Sequence, residues 1–315
     1  MITEKKGKVV KGLGGLYETR VSEDGTVTLF SSRAKGALRR DDERVLVGDD
    51  VIVTIDDSTP DGIVISEVLP RRNSLIRPPL ANLDYLFIVF AARKPVPVLE
   101  TVDKLIAIAE HNGIVPVVVV TKSDMDDVAA EEYAAVYSSI GIPTFVTSSK
   151  NGSGTAALSS YIHENIRCGA TSAFAGASGV GKSTLMNSLF PHLGLATAEI
   201  SRKIERGRHT TRHVELFAID EGDETGFLAD TPGFSLIDFE RFDFFSLEDL
   251  ADSFRELRAY RGACTYADCS HVGEGSTDCA VARDAERGII PASRLESYRS
   301  IYRVLKQKSQ DYTKK

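Results

Sequence analysis

The segment Gly176-Ala177-Ser178-Gly179-Val180-Gly181-Lys182-Ser183 constrains this chain more than any other. Two glycines separated by four residues, then Lys and Ser, make a loop whose backbone N–H groups can turn inward onto phosphate oxygens. Such a loop works between a buried strand and a helix N-terminus, where the helix dipole favours an anion. The flanks supply both: Ala173-Phe174-Ala175 ends an apolar run, and Thr184-Leu185-Met186 begins a helical one. Lys182 is placed to reach the β- and γ-phosphates, and the Ser183 hydroxyl to hold Mg²⁺. The residues from Gly176 to Thr184 are therefore the expected phosphate-binding set, with Lys182 also catalytic.

With 315 residues the chain suits two or three domains. Its longest apolar runs, Tyr85–Ala92 and Ile114–Val120, are far short of a bilayer span and suit buried parallel strands. The start, Met1-Ile2-Thr3-Glu4-Lys5-Lys6, does not resemble a signal peptide. The expectation is a cytoplasmic protein with no membrane partner. The net charge of −7 argues mildly against nucleic acid, but bases gather in Arg33–Arg40, at Arg71, Arg72 and Arg77, in Arg202–Arg212 and in Arg294–Lys315. Local patches, not the total, decide whether a phosphate backbone can be engaged.

Residues 8 to about 69 alternate in short segments broken by Asp24-Gly25 and Asp61-Gly62. Five candidate strands, Val9–Leu13, Leu16–Val21, Thr26–Phe30, Val51–Ile55 and Gly62–Val68, suggest a small barrel of the OB type, a frequent RNA-binding scaffold. From Leu83 onward, strand and helix alternate, which predicts a mostly parallel sheet with helices on both faces. Beyond Phe239 the sequence becomes helical and cysteine-bearing, and it closes on a basic helix from Pro291 to about Lys308. The expected architecture is multidomain α/β: a barrel at 1–69, a P-loop domain at 70–238 and a helical metal-binding domain at 239–315.

Three further motifs choose the base and the chemistry. The apolar run ending at Val120 leads into Thr121-Lys122-Ser123-Asp124. A carboxylate there can accept from both N1–H and the 2-amino group of guanine, whereas adenine offers no such donor pair. A buried carboxylate left unpaired is costly, so such a site can discriminate by ~10⁴ or more. Lys122 would lay its stem along the base, and Thr121, where Asn is commoner, would brace the loop less firmly. One βα unit later, Ser148-Ser149-Lys150 fits the loop whose backbone N–H groups touch guanine O6. Asp230-Thr231-Pro232-Gly233 fits an Asp-x-x-Gly element, with Asp230 holding Mg²⁺ through water and the Gly233 N–H sensing the γ-phosphate. Within Arg206–Arg212, Thr211 is the candidate for the threonine that binds Mg²⁺ in the triphosphate state, with Thr210 the alternative. Phe234 stands where many GTPases carry a water-orienting glutamine, so hydrolysis by the chain alone should be slow. His209 is the candidate to position water instead.

The order of these motifs is unusual. Base recognition precedes the phosphate loop, which precedes Thr211 and Asp230. The chain reads as a circularly permuted GTPase, and its switch segments lead directly into the C-terminal module. There Cys264-x₄-Cys269-x-His271-x₇-Cys279 offers three thiolates and one imidazole, suited to closed tetrahedral structural zinc, one ion per chain. Cys168 stands apart and is expected to be a small buried apolar residue.

This order, the barrel-like start and the Cys/His end resemble the ribosome small subunit-dependent GTPase A family (RsgA, also called YjeQ). Further markers are Arg44-Val45-Leu46-Val47-Gly48-Asp49, Arg71 to Arg77, Asn82-Leu83-Asp84, Gly207 to Thr211 and Asp230 to Phe234. The gap from His271 to Cys279 is longer than that family's usual pattern. The resemblance covers essentially the whole chain. It implies a GTP phosphohydrolase that binds GTP and GDP and works on the small ribosomal subunit, in late maturation of that particle, stimulated by it. The residues themselves imply only a permuted GTPase with an RNA-compatible periphery. Arg33, Arg39, Arg40, Arg71, Arg72 and the final helix are the expected rRNA phosphate contacts. A monomer is the default. A general P-loop ATPase or kinase is the competing reading, and Asp124 predicts that ATP loses to GTP.

Overall fold

The structure, a computed structural model, describes residues 2–39, 44–56, 58, 62–193, 214–220, 222, 225–230 and 243–313. Its strands are β1 (Ile2–Leu13), β2 (Leu16–Glu23), β3 (Thr26–Ala34), β4 (Asp50–Asp56), β5 (Ile63–Val68), β6 (Ser74–Leu75) and β7 (Leu80–Ala81). There follow β8 (Tyr85–Ala91), β9 (Val115–Thr121), β10 (Thr144–Val146), β11 (Thr171–Ala175), β12 (Glu215–Ala218) and β13 (Phe227–Asp230). The α-helices are α1 (Leu99–His111), α2 (Asp127–Ser139), α3 (Thr155–Asn165), α4 (Lys182–Leu189), α5 (Ala280–Glu286) and α6 (Ala292–Thr313). The chain divides into two compact units. One contains Met1–Leu86, Thr155–Ala175 and Lys182–Phe234; the other contains Phe87–Gly154, Gly176–Gly181 and Ser235–Lys315.

In the first unit the five N-terminal strands run in the order β1-β2-β3-β5-β4, and β4 pairs back on β1 to close a barrel. All these pairings are antiparallel except β3 with β5. This closure is the OB topology expected from the strand rhythm. Val9, Val51, Val53 and Ile65 fill the barrel with no exposed surface. The strand β1 begins seven residues earlier than the alternation suggested, pairing Ile2↔Asp56 through Lys8↔Asp50. Its first half is largely polar and exposed, so backbone pairing defines it and hydrophobic pattern does not.

In the same unit β11 and β13 are parallel, but β12 is antiparallel to β13 and to β1. The sheet was expected to be mostly parallel, and β12 is an antiparallel strand in it. The turn between β12 and β13 closes with the Ile219 N–H donating to Gly226 O at 2.9 Å, and so short a connection permits only antiparallel pairing.

In the second unit β10, β9 and β8 lie side by side, with β9 and β10 parallel. Val117 to Val120 have no exposed surface, which is why this run is apolar at every position instead of at alternate ones. Helix α1 buries Val102, Leu105, Ile106 and Ala109. It also carries three acids towards the C-terminal segment, at spacings of three and seven that place them along one side. Glu100 accepts from the Ser300 hydroxyl at 3.0 Å, and Asp103 accepts from Arg294 Nη1 at 2.7 Å. Glu110 accepts from Arg255 Nε at 2.6 Å and Arg258 Nη2 at 2.7 Å. Arg294 is wholly buried, shares its fork with Glu256 and lies 4.4 Å over the Phe254 ring. Burial opposes its charge, yet the two carboxylates outweigh burial and hold the guanidinium above its ordinary pKa. Among the described residues no helix is long and apolar enough to cross a membrane.

Candidate functional site

The phosphate-loop sequence leaves β11 at Ala175 and opens α4 at Lys182, the strand–loop–helix setting its chemistry requires. At Gly176 φ is +143°, and an added Cβ would lie 2.0 Å from Val89 O. The loop passes against the β8 backbone, where only glycine fits. Gly181, with φ +100°, meets no such crowding, so its glycine answers to backbone direction alone. Val180 is buried, while Ala177, Ser178 and Gly179 are exposed. Burial draws the Lys182 ammonium below the ordinary lysine pKa, a direction that an anionic ligand beside it would reverse.

Thr121 ends β9, and its hydroxyl donates to Val180 O at 2.5 Å while lying 3.1 Å from Phe90 O. A hydroxyl has one hydrogen, so the shorter contact carries the bond. Lys122 sits in the left-handed region, φ +57°, which turns its side chain back over the loop. Its Nζ donates to Gly179 O at 2.6 Å and to Lys94 O at 2.6 Å. Consecutive residues of the tetrapeptide therefore hold consecutive carbonyls of the phosphate loop.

Asp124 lies just beyond, and Ser148 donates to its Oδ1 at 2.5 Å. The buried Ser148 also accepts from the Gly152 N–H at 2.9 Å, so its own loop is closed around it. Lys150 Nζ lies 3.8 Å from Asp124 Oδ2 with its side chain 82% exposed, a weak pair in water. Ser149 follows in the same loop and is exposed. Ser148 was legible as a member of this loop, but its bond to Asp124 was not. The two lie 24 residues apart on separate loops, and no local spacing rule connects them.

His209, Thr210, Thr211, Gly233 and Phe234 lie outside the described residues. Asp230 is the last residue of β13, and its side chain is likewise outside them.

The family model described as the RsgA GTPase matches residues 68–240, and that of the RsgA N-terminal domain matches residues 6–64. The chain belongs to the RsgA GTPase family. Proteins named small ribosomal subunit biogenesis GTPase RsgA resemble it along its length. That of Caldanaerobacter subterraneus is 39% identical over 304 residues, covering 96% of each chain. That of Geobacillus thermodenitrificans is 38% identical over 311 residues, covering 98% of this chain and 99% of its own. Among solved structures, YjeQ from Thermotoga maritima superposes with a TM-score of 0.76 at 31% identity, covering 96% of this chain and 99% of its own. YloQ, described as a circularly permuted GTPase, gives 0.76 at 30% identity, covering 97% and 96%. Membership in the RsgA family makes this chain a GTP hydrolase, and the permuted motif order is a shared property of the fold.

This RsgA chain also gathers Cys264, Cys269, His271 and Cys279, whose candidate donor atoms all lie within 4.8 Å of one another. His271 Nδ1 is 3.6, 3.4 and 3.4 Å from the sulfurs of Cys264, Cys269 and Cys279, and the Cys264 and Cys279 sulfurs are 4.0 Å apart. A tetrahedron with metal–sulfur bonds of about 2.3 Å and metal–nitrogen bonds of about 2.0 Å has edges of about 3.8 and 3.5 Å. The donor set fits a metal ion in both chemistry and spacing. Burial lowers the His271 pKa, which keeps the imidazole in the neutral form a metal needs. Burial pushes the Cys269 thiol up to about 12 when no cation is present. The N–H groups of Ala280 and Ala282 donate to the sulfurs of Cys264 and Cys279, each at 3.4 Å. The long gap before Cys279 is absorbed by a turn in which the N–H groups of Asp278 and Cys279 both donate to Gly275 O.

Several of the basic residues expected to contact rRNA also make ion pairs within the fold. Arg71 grips the wholly buried Asp49 with Nε and Nη2 at 2.7 and 2.8 Å, and Arg72 pairs with Asp84 at 2.9 Å. Arg294 is the buried partner of Asp103 and Glu256. Arg33 is exposed on β3, whereas Arg40 and the side chain of Arg39 lie outside the described residues. Cys168 is exposed and not buried as expected, because it occupies a tight turn at φ +52°.

Proposed function

We propose that this chain is a cytoplasmic, monomeric GTPase that acts on the small ribosomal subunit during its late maturation and is stimulated by that particle. The reading follows the relatives named small ribosomal subunit biogenesis GTPase RsgA. One nucleotide, GTP or GDP, binds with its base at Thr121, Lys122, Asp124 and Ser148–Lys150 and its phosphates at Gly176–Thr184. The observation that carries this reading is the pair of bonds from Thr121 and Lys122 to the carbonyls of Val180 and Gly179. These bonds join the Thr121–Lys122 segment to the Gly179–Val180 part of the loop.

Mg²⁺ bound with GTP neutralises phosphate charge. Ser183, Thr211 and Asp230 are the residues to hold it, and the Gly233 N–H is the γ-phosphate sensor. The Cys264, Cys269, His271 and Cys279 cluster is a closed structural zinc site with one ion per chain, because four protein donors leave no open position. Residues 1–69 form the rRNA-facing barrel, 70–238 the GTPase domain and 239–315 the metal-binding domain.

The test is GTP turnover by the chain alone and with purified small subunits, at two salt concentrations. Slow basal turnover, strong stimulation and loss of stimulation at high salt are expected, since phosphate contacts release counterions. Turnover indifferent to the particle sinks the proposal. His209→Ala should leave GTP affinity intact and abolish the stimulated rate. An unchanged stimulated rate removes His209 from the mechanism.

A further inference from the structure

We propose that Glu274, Tyr298 and Arg299 are the positioning residues of the metal centre, holding the backbone of residues 270–273 so that His271 presents Nδ1 to the three sulfurs. The inference rests on the metal reading above. His271 needs such support because its backbone is left-handed, φ +60°, a conformation that strains a non-glycine residue. Three side chains, none of them a ligand, grip this one short loop. The Glu274 carboxylate accepts from the N–H groups of Ser270, Val272 and Gly273 at 3.3, 3.1 and 3.1 Å, fastening both sides of His271. From α6, the Tyr298 hydroxyl donates to Ser270 O and Arg299 Nε donates to His271 O, both at 3.0 Å. N–H and C=O groups of the loop are thus satisfied from opposite directions, and its left-handed turn is over-determined.

Tyr298 and Arg299 come from a helix that is fixed independently. One turn earlier in α6, Arg294 is locked between Asp103 and Glu256, and the Tyr298 ring meets Phe254 edge-on at 5.3 Å. The loop is therefore held against an element that does not depend on the metal for its own placement. Residues in this role typically change metal affinity by ~10- to 100-fold when removed.

The full-length protein is stripped of metal, and Zn²⁺ affinity is measured by competition with a chromophoric chelator. Tyr298→Phe, which removes a single oxygen, and Arg299→Met, which keeps the stem and loses the donor, should each weaken Zn²⁺ binding by ~10-fold or more. Glu274→Gln should do the same. Arg299→Lys restores a donor and should recover most of the loss. Wild-type affinity in the Phe and Met variants overturns the proposal, as does an Arg299→Lys variant no tighter than Arg299→Met. Wild-type protein that binds no Zn²⁺ at all overturns the metal reading itself, and the positioning role with it.

Discussion

Ser148 shows how much one hydroxyl can decide. Under the proposed reading Asp124 must stay ionised and point at the base, and the Ser148 bond at 2.5 Å fixes one of its oxygens. A hydrogen bond to a charged group is worth about 1.5–3 kcal/mol, so Ser148→Ala should weaken GDP binding by about tenfold or more, read by titration with a fluorescent analogue. An unchanged affinity would show that Asp124 orients without help. The glycines of the phosphate loop make a paired prediction. Gly176→Ala drives a Cβ to 2.0 Å from Val89 O and should abolish nucleotide binding, whereas Gly179→Ala meets nothing within 4 Å and should cost only about 1 kcal/mol of backbone strain. Both follow from the same titration, and equal effects would contradict the close approach of loop and strand. These roles were partly legible beforehand. The Gly176–Ser183 chemistry is written in consecutive residues, but the support of Asp124 by Ser148 needed two loops to meet.

At the scale of elements, α1 and α6 carry the least expected result. The basic final helix, expected to contact phosphates, also buries Arg294 completely between Asp103 and Glu256. Asp103 and Arg294 are 191 residues apart, and a charge run looks the same whether it faces water or a buried acid. Arg294→Met leaves two largely buried carboxylates unpaired and should destabilise the second unit by about 3–5 kcal/mol. Replacing Asp103 and Glu256 as well, by Leu and Gln, should recover much of the loss, because uncharged groups tolerate burial that lone charges do not. Thermal unfolding of the single and triple variants measures both. A single variant as stable as wild type would mean that the triad contributes no net stability. Strands and helices with strong periodicity were legible: the helical spacing of Val98–His111 predicts a helix, and α1 forms at Leu99–His111. The polar first half of β1 and the antiparallel β12 were not, because backbone pairing and a tight turn decide them.

For the whole molecule, motif order is the organising fact. Under the proposed reading base recognition comes first, the phosphate loop second and the Asp230 element third, with the Cys264–Cys279 cluster following in sequence. Chelating the metal should strip amide protection from residues 264–280 in hydrogen exchange while β8 and β9 keep theirs, since metal binding and local folding are coupled. Unaltered exchange would deny the metal a structural role. Everything functional in this account requires that Asp124 and Lys182 serve one nucleotide. The most direct test is displacement of bound fluorescent GDP by GTP and by ATP, in wild type and in Asp124→Asn. GTP should outcompete ATP by ~10⁴ or more in wild type, and the asparagine variant should lose most of that margin. Equal competition by the two nucleotides in wild type, or an undiminished margin in the variant, would contradict it.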